Sequence, residues 1–188
     1  MLNRNCEVKL TALEPEEQGL LDETFEQFRR AAQYAADYGW CDNPANIIDS
    51  NSKLHDATYE DVRDQTDLTA NHVQAARSLA AEALDSCTEL YFEEGQSISK
   101  PTFRGSVVVY DGRTVTFNDD HCTLSTTDGR VSAEYVFPED TTDTPFETYW
   151  TNPEWERNSA TLHKRDGTHY LHVNFQKEPE TDVSAVEN

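Results

Sequence analysis

The spacing of apolar residues changes period twice along this chain, and that change constrains its fold more than any single motif does. Residues 5–13 (NCEVKLTAL) alternate, with Cys6, Val8 and Leu10 on one side, which predicts one strand. From Pro15 the apolar positions Leu21, Phe25, Phe28, Ala32 and Ala35 recur at helical spacing. Pro15 suits a first turn, Glu16 and Glu17 face the positive end of the helix dipole, and Gly39 supplies a stop. After Gly95 the period returns to two. Asp111-Gly112, Asp128-Gly129 and Asp166-Gly167 each sit between runs rich in Val, Thr, Tyr and Phe, predicting three tight hairpins in an antiparallel meander or barrel. One strand, a helical block and then five or six strands make one domain if the first strand rejoins the later sheet. Residues 14–97 are then a helical insertion in a small barrel.

Within the helical block, residues 40–57 read as a loop with at most a turn of helix around Ile47 and Ile48. Thr58 with Asp61 predicts a capping box, and Thr69 a second N-cap, giving two helices joined at residues 66–68. The second helix turns Val73, Ala76, Leu79, Ala80 and Ala83 inward. Two arrangements fit: a helix-turn-helix whose first-turn side chains Thr69, Asn71, His72 and Gln74 face a DNA groove, or an αα-hairpin with a solvated polar end. The Pro-rich stretch 138–158 reads as a long connection, and residues 179–188 as a flexible tail.

The formal net charge is -21, from 36 Asp and Glu against 15 Lys and Arg. Residues 1–97 hold 20 acidic and 7 basic groups, residues 98–178 hold 13 and 8, and the last ten hold 3 and none. A spread of this kind, not confined to a tail, suits molar salt, where the Debye length falls to about 3 Å and charge density keeps a chain soluble. No apolar run is long enough for a membrane helix and no signal-peptide layout opens the chain, so a soluble cytoplasmic protein with no membrane partner is expected. Cys6, Cys41, Cys87 and Cys122 are too widely spaced for a zinc site and read as reduced thiols.

The bases carry the functional signal. Lys100, Arg104 and Arg113 surround the stretch PTFRGSVVVYDGRTVTF, Arg130 sits on the next hairpin, and Phe103, Tyr110 and Phe117 interleave with them, as a phosphate-contacting and base-stacking face requires. Taken singly, each arginine also fits a solvated strand position. His163, His169 and His172 suggest a metal enzyme less well, because positions 169 and 172 of one strand face opposite ways.

The segments KLHDATYEDVRDQTDLTANHVQAARSLAAEAL, KPTFRGSVVVYDGRTVTF, CTLSTTDGRVSAEYVF and SATLHKRDGTHYLHV resemble, in order and spacing, the N-terminal half of the TnpB (OrfB) proteins of insertion sequences, in their haloarchaeal form. The resemblance implies an α+β fold. Residues 5–13 and 98–178 would form an oligonucleotide-binding-like (OB-like) wedge barrel, and residues 14–97 a recognition domain. It also implies guide RNA and target DNA as partners, with RNA held by Lys100, Arg104, Tyr110, Arg113 and Arg130. The motif beside the target would be read by Thr69, Asn71, His72 and Gln74. The RuvC-like nuclease domain and zinc ribbon of that family have no counterpart here. No catalysis, metal or cofactor is therefore expected of this chain unless a separate chain supplies the nuclease half. The alternative is an inactive remnant of a truncated transposase.

Unscreened repulsion among the acids of residues 1–97 leads to one expected outcome. The thermal unfolding midpoint, followed by circular dichroism, rises between 0.1 M and molar potassium chloride. A midpoint that is flat or falls with salt contradicts this reading of the charge.

Overall fold

The first strand, β1 (Leu2–Thr11), lies in the interior of the sheet although the remaining strands follow more than ninety residues later. The computed structural model describes residues 1–179; the predicted tail lies almost wholly outside them. After β1 come the helices α1 (Pro15–Gly39), α2 (Asn51–Gln65) and α3 (Ala70–Phe92). Six strands follow: β2 (Val107–Tyr110), β3 (Val115–Phe117), β4 (His121–Ser125), β5 (Arg130–Val136), β6 (Glu156–Arg165) and β7 (Thr168–Lys177). The fold is α+β, a seven-stranded antiparallel sheet in the order β2-β6-β7-β1-β5-β4-β3, curled into a half-barrel. β1 pairs with β7 through Cys6 opposite Val173 and Val8 opposite Leu171, and with β5 through Leu10 opposite Tyr135.

Strict alternation drives this layering. Cys6, Val8 and Leu10 of β1, Ala160 and Leu162 of β6, and Leu171, Val173 and Phe175 of β7 all point inward and are nearly inaccessible. The face of α1 bearing Leu21, Phe25 and Phe28 belongs to the same continuous core. Burying each such side chain stabilises the fold by roughly 1.5–3 kcal/mol. Helices α1 and α3 run side by side in the same direction: Phe28 meets His72, Ala35 and Ala36 meet Ala80, and Gly39 meets Leu84. Gly39 is needed there, since a Cβ would lie 2.4 Å from the Ile48 carbonyl oxygen and 2.5 Å from a Leu84 methyl. Cys6 and Cys122 are buried free thiols, pushed by desolvation to about 11 and about 12.

Several sequence expectations need correction. The predicted loop 40–57 contains the first half of α2, which starts after its N-cap Ser50. Thr58 is no cap: it is buried in mid-helix and its hydroxyl donates to the Leu54 carbonyl at 2.6 Å. The first turn of α2 packs on α3, with Asn51 at Arg77 and Ser78 and Leu54 in one cluster with Ala81 and Leu84, and Asp49 just ahead of it accepts from Thr88. Asp128-Gly129 and Asp166-Gly167 do close the hairpins β4–β5 and β6–β7; Asp166 and Gly167 both have positive φ, as a type I′ turn demands. Asp111-Gly112 does not close a hairpin. β2 pairs only with β6 and β3 only with β4, so this turn carries the chain from one sheet edge to the other. The corner is tied by the Thr114 and Val115 amides, both donating to the Asp111 carbonyl at 3.0 Å, and by the Tyr110 hydroxyl donating to the Ser125 carbonyl at 2.9 Å. Further along the same seam Arg157 donates to the Asn118 carbonyl at 2.8 Å while its guanidinium lies over Trp150.

Two histidines lie in the joint between helices and sheet. His72 is fully buried, edge-on to Tyr110 with ring centroids 4.9 Å apart, and neither ring nitrogen has a partner. His169 stacks on Phe25 with its Nε2 unpartnered. Burial lowers the His72 pKa from its ordinary 6.5 to about 4 despite the opposing charge of Asp111. Burial, then Lys164, lowers that of His169 against the pull of Asp22. Both are held neutral, so the stability they permit is present above pH 6.5. It is lost as pH falls toward the folded-state values, because the unfolded chain takes up the protons first. For His72 the loss is on the order of 3 kcal/mol. In guanidinium titrations at pH 7 and pH 4.5 in molar salt, His72→Leu should lose less stability than the parent chain by a comparable amount. Equal losses in the two proteins would show that His72 is not held neutral.

Candidate nucleic-acid interface

The sequence-predicted RNA residues do not form one hairpin face. Tyr110 has no exposed surface and faces the core, so it cannot stack on a base. Its inward orientation follows from β2 alternation, which buries Val108 and Tyr110 and leaves Val107 and Val109 half-exposed. Phe103 packs on Ala35, Ala36 and Ala80, and Phe117 is half-buried against the core. Arg113 is exposed but folded onto its own turn, donating to Asp111 at 2.8 and 3.3 Å. Arg130, also exposed, reaches across β4 to the Thr123 carbonyl and the Thr116 hydroxyl, both at 3.2 Å. Those two arginines are committed to turns and strands of the sheet.

Lys100 and Arg104 lie elsewhere, in the segment between α3 and β2. This segment runs along α1 and is fixed by Gln33, whose Nε2 donates to the Pro101 carbonyl at 3.0 Å while its Oε1 accepts from the Phe103 amide at 3.0 Å. Gln33 also donates to Asp37 at 2.9 Å, and Asp37 pairs with Lys100 at 2.9 Å. Desolvation pushes the Asp37 carboxyl up, but the hydrogen bonds from Lys100 and Gln33 outweigh it and hold it below the ordinary value. Arg104 is fully solvated and follows the anchored Phe103 directly.

The same turns of α1 form one wall of an open cleft of about 220 Å³, lined by Arg29, Arg30, Gln33, Tyr34 and Asp37 with Gln65 and Thr66 of α2 opposite. Arg29 pairs with Glu26 at 2.7 Å, and the Tyr34 hydroxyl donates to Asp61 at 2.7 Å. Among the described residues, Arg30 and Arg104 make no hydrogen bond or ion pair with the chain. The structure thus gathers Arg29, Arg30, Lys100 and Arg104 around Gln33, a grouping of cations that outnumbers the adjoining Glu26, Asp37 and Asp61. Arg29 and Arg30 escaped sequence reasoning because they read as solvated positions of an amphipathic helix. Their only signal was adjacency, two consecutive arginines in a segment otherwise rich in acids.

The predicted DNA-reading residues divide similarly. His72 is buried and unavailable, as its place beside Val73 on the inner face of α3 dictates. Thr69 is the N-cap, its hydroxyl accepting from the His72 amide at 3.2 Å. Asn71 and Gln74 are half-exposed, with no side-chain partner among the described residues.

On the outer face of the sheet Glu7 binds Arg165 at 2.8 Å and also His172, whose ring meets that of His163 at a tilt of 42° with centroids 4.4 Å apart. His169 points the opposite way, into the core, as the alternation of β7 predicted. Among the described residues no group of three or more His, Cys, Asp or Glu is arranged to hold a metal, and no helix is long and apolar enough to cross a membrane. The chain matches no protein-family model and no curated protein.

Because Gln33 holds both the segment ahead of β2 and the carboxylate that fixes Lys100, Gln33→Ala should lower stability by about 1–3 kcal/mol. In hydrogen-exchange measurements the Phe103 amide should become one of the faster exchangers. Unchanged protection at Phe103 would show that the segment is held by packing alone.

Proposed function

We propose that this chain is a nucleic-acid-binding module that takes a single-stranded RNA along the group of cations beside the C-terminal half of α1. The observation that carries this reading is the pair of unpartnered guanidiniums, Arg30 lining the cleft and Arg104 in the segment that Gln33 fastens to the same helix, in a molecule that gives most of its other bases a partner. Guanidinium groups suit the task in strong salt, since they are weakly hydrated, grip phosphate in a bidentate way and stack on bases. Tyr34 and Gln65 supply further donors and acceptors within the cleft. An acidic exterior with a local basic furrow also favours selectivity, because phosphate is repelled everywhere else.

The resemblance to TnpB proteins would make that RNA a guide and target DNA the second ligand, with Asn71 and Gln74 as the DNA-facing side chains. On that reading the OB-like wedge comprises β1 and the later strands, α1–α3 are the recognition insertion, and a separately encoded chain contributes the nuclease half. Its support is the order of the quoted segments and the return of the first strand to the later sheet. The remnant reading draws less support, because the helices fill the hollow of the sheet with a continuous core.

Fluorescence anisotropy with a labelled 20-nucleotide oligouridine tests the proposal. Arg30→Glu with Arg104→Glu should weaken binding at least tenfold. It should also flatten the salt dependence by about 1.4 in log Kd per decade of salt, two phosphate contacts at roughly 0.7 each. Arg113→Glu with Arg130→Glu should change affinity little. Binding that survives the first pair and fails with the second would return the site to the strand edges.

A further inference from the structure

We infer that the C-terminal end of α3 is a docking knob for a protein partner that presents an apolar pocket rimmed with lysine or arginine, a surface separate from the RNA-binding cleft. Helices α1 and α3 run in parallel, but α1 stops at Gly39, level with Leu84, so α3 continues about two turns beyond its neighbour. The extension is tethered at Thr88, which donates to Asp49, and at Cys87, which faces the Ser99 carbonyl. Past those tethers Leu90, Tyr91 and Phe92 are 37%, 42% and 61% exposed, and Tyr91 and Phe92 meet edge to face at 5.0 Å. The end does not fray into a loop. Gly95, in the left-handed region at φ 65°, returns its amide to the Tyr91 carbonyl and Gln96 to that of Leu90, so the aromatic pair is presented on a capped helix.

Charge identifies the occupant. Between Ser78 and Ser99 there is no lysine or arginine, whereas Glu82, Asp85, Glu89, Glu93 and Glu94 are all exposed. Among the described residues none of the five has an ion-pair partner. A second copy of this chain would bring the same five carboxylates against them. The exposed area of the three apolar side chains is also only about 250–300 Å², far below the roughly 800 Å² per partner of a stable interface. A flat homodimer is therefore disfavoured on both counts. A narrow projecting tip with two aromatic anchors and an acidic collar instead fits a pocket, where aromatic side chains act as hot spots and the collar meets a basic rim.

The probe is heptakis(6-amino-6-deoxy)-β-cyclodextrin, an apolar cavity rimmed with ammonium groups, titrated into the full chain by isothermal calorimetry at the lowest salt that keeps the chain folded. The parent chain should bind. Tyr91→Ala with Phe92→Ala should weaken binding at least tenfold, and Glu89→Gln with Glu93→Gln and Glu94→Gln should weaken it and reduce its salt dependence. Phe137→Ser, on another exposed apolar spot, should leave it unchanged, as should Arg30→Glu with Arg104→Glu. Absence of binding by the parent chain, or equal affinity in the tip variants, overturns the inference. A dimer in sedimentation velocity that Tyr91→Ala with Phe92→Ala abolishes would overturn the choice of partner in favour of a second copy.

Discussion

The contact on which the rest of the molecule depends is that between the Leu21–Phe25–Phe28 stripe of α1 and the hollow of the sheet. Seven antiparallel strands with one apolar face need something to cover that face, and twist curls them into a trough, not a flat layer. Helix α1 fills the trough. With it in place the sheet has no need to close on itself, and the two edge strands β2 and β3 stay apart, joined by a corner and by two tethers, Tyr110 to Ser125 and Arg157 to Asn118. The same contact explains the two buried histidines. Each meets a phenylalanine of α1, where apolar surroundings exclude a proton more readily than they accommodate an imidazolium.

The acidity of the surface shapes how the bases are used. With carboxylates in excess, several cations find one close by: Arg29 with Glu26, Arg113 with Asp111, Lys164 with Asp22, Arg165 with Glu7. These pairs are largely solvated, contribute little to stability at moderate salt and less in strong salt, and are better viewed as local neutralisation. An unpaired guanidinium is then the informative case. Arg30 and Arg104 remain without any hydrogen-bonding or ionic partner although acids are abundant in the chain, Arg30 on α1 and Arg104 in the segment that Gln33 fastens to it.

What could be read from the sequence was whatever local period determines. Helix α1 was legible from Pro15 to Gly39, and β1, β5, β6 and β7 from their alternation, because one buried face fixes both register and side-chain direction. The return of β1 followed from topology, since a lone strand needs neighbours. The failures have a common origin in long-range packing. Asp111-Gly112 carries the local signature of a hairpin, but whether the flanking strands pair is decided by whether β2 finds β6, some fifty residues away. Thr58 has the sequence of a cap, yet α2 starts earlier because Leu54 is drawn against Ala81 and Leu84. His72 was assigned to a groove because it lies in a polar first turn. Its neighbour Val73 already marked the inner face, and Tyr110 and Phe28 complete a pocket that no local window contains.

The filled trough also decides which surface remains for a ligand. In a barrel whose outer strands bind nucleic acid, aromatic side chains must face solvent. Here the aromatic residues of the sheet are directed elsewhere: Tyr110, Tyr135 and Phe175 into the core, and Tyr170 under the guanidinium of Arg165 at 4.2 Å. The outer face of β1, β6 and β7 shows instead a set of polar contacts in which Glu7 is shared between Arg165 and His172. A phosphate chain approaching that face would have to break contacts already made. Beside α1 it would meet two guanidiniums with no such commitment, Arg30 on the helix and Arg104 in the segment that Gln33 fastens to it, while the other side of that helix is locked into the sheet. The rigidity that comes from filling the trough is thus what allows the opposite side of the same helix to serve as a preorganised surface.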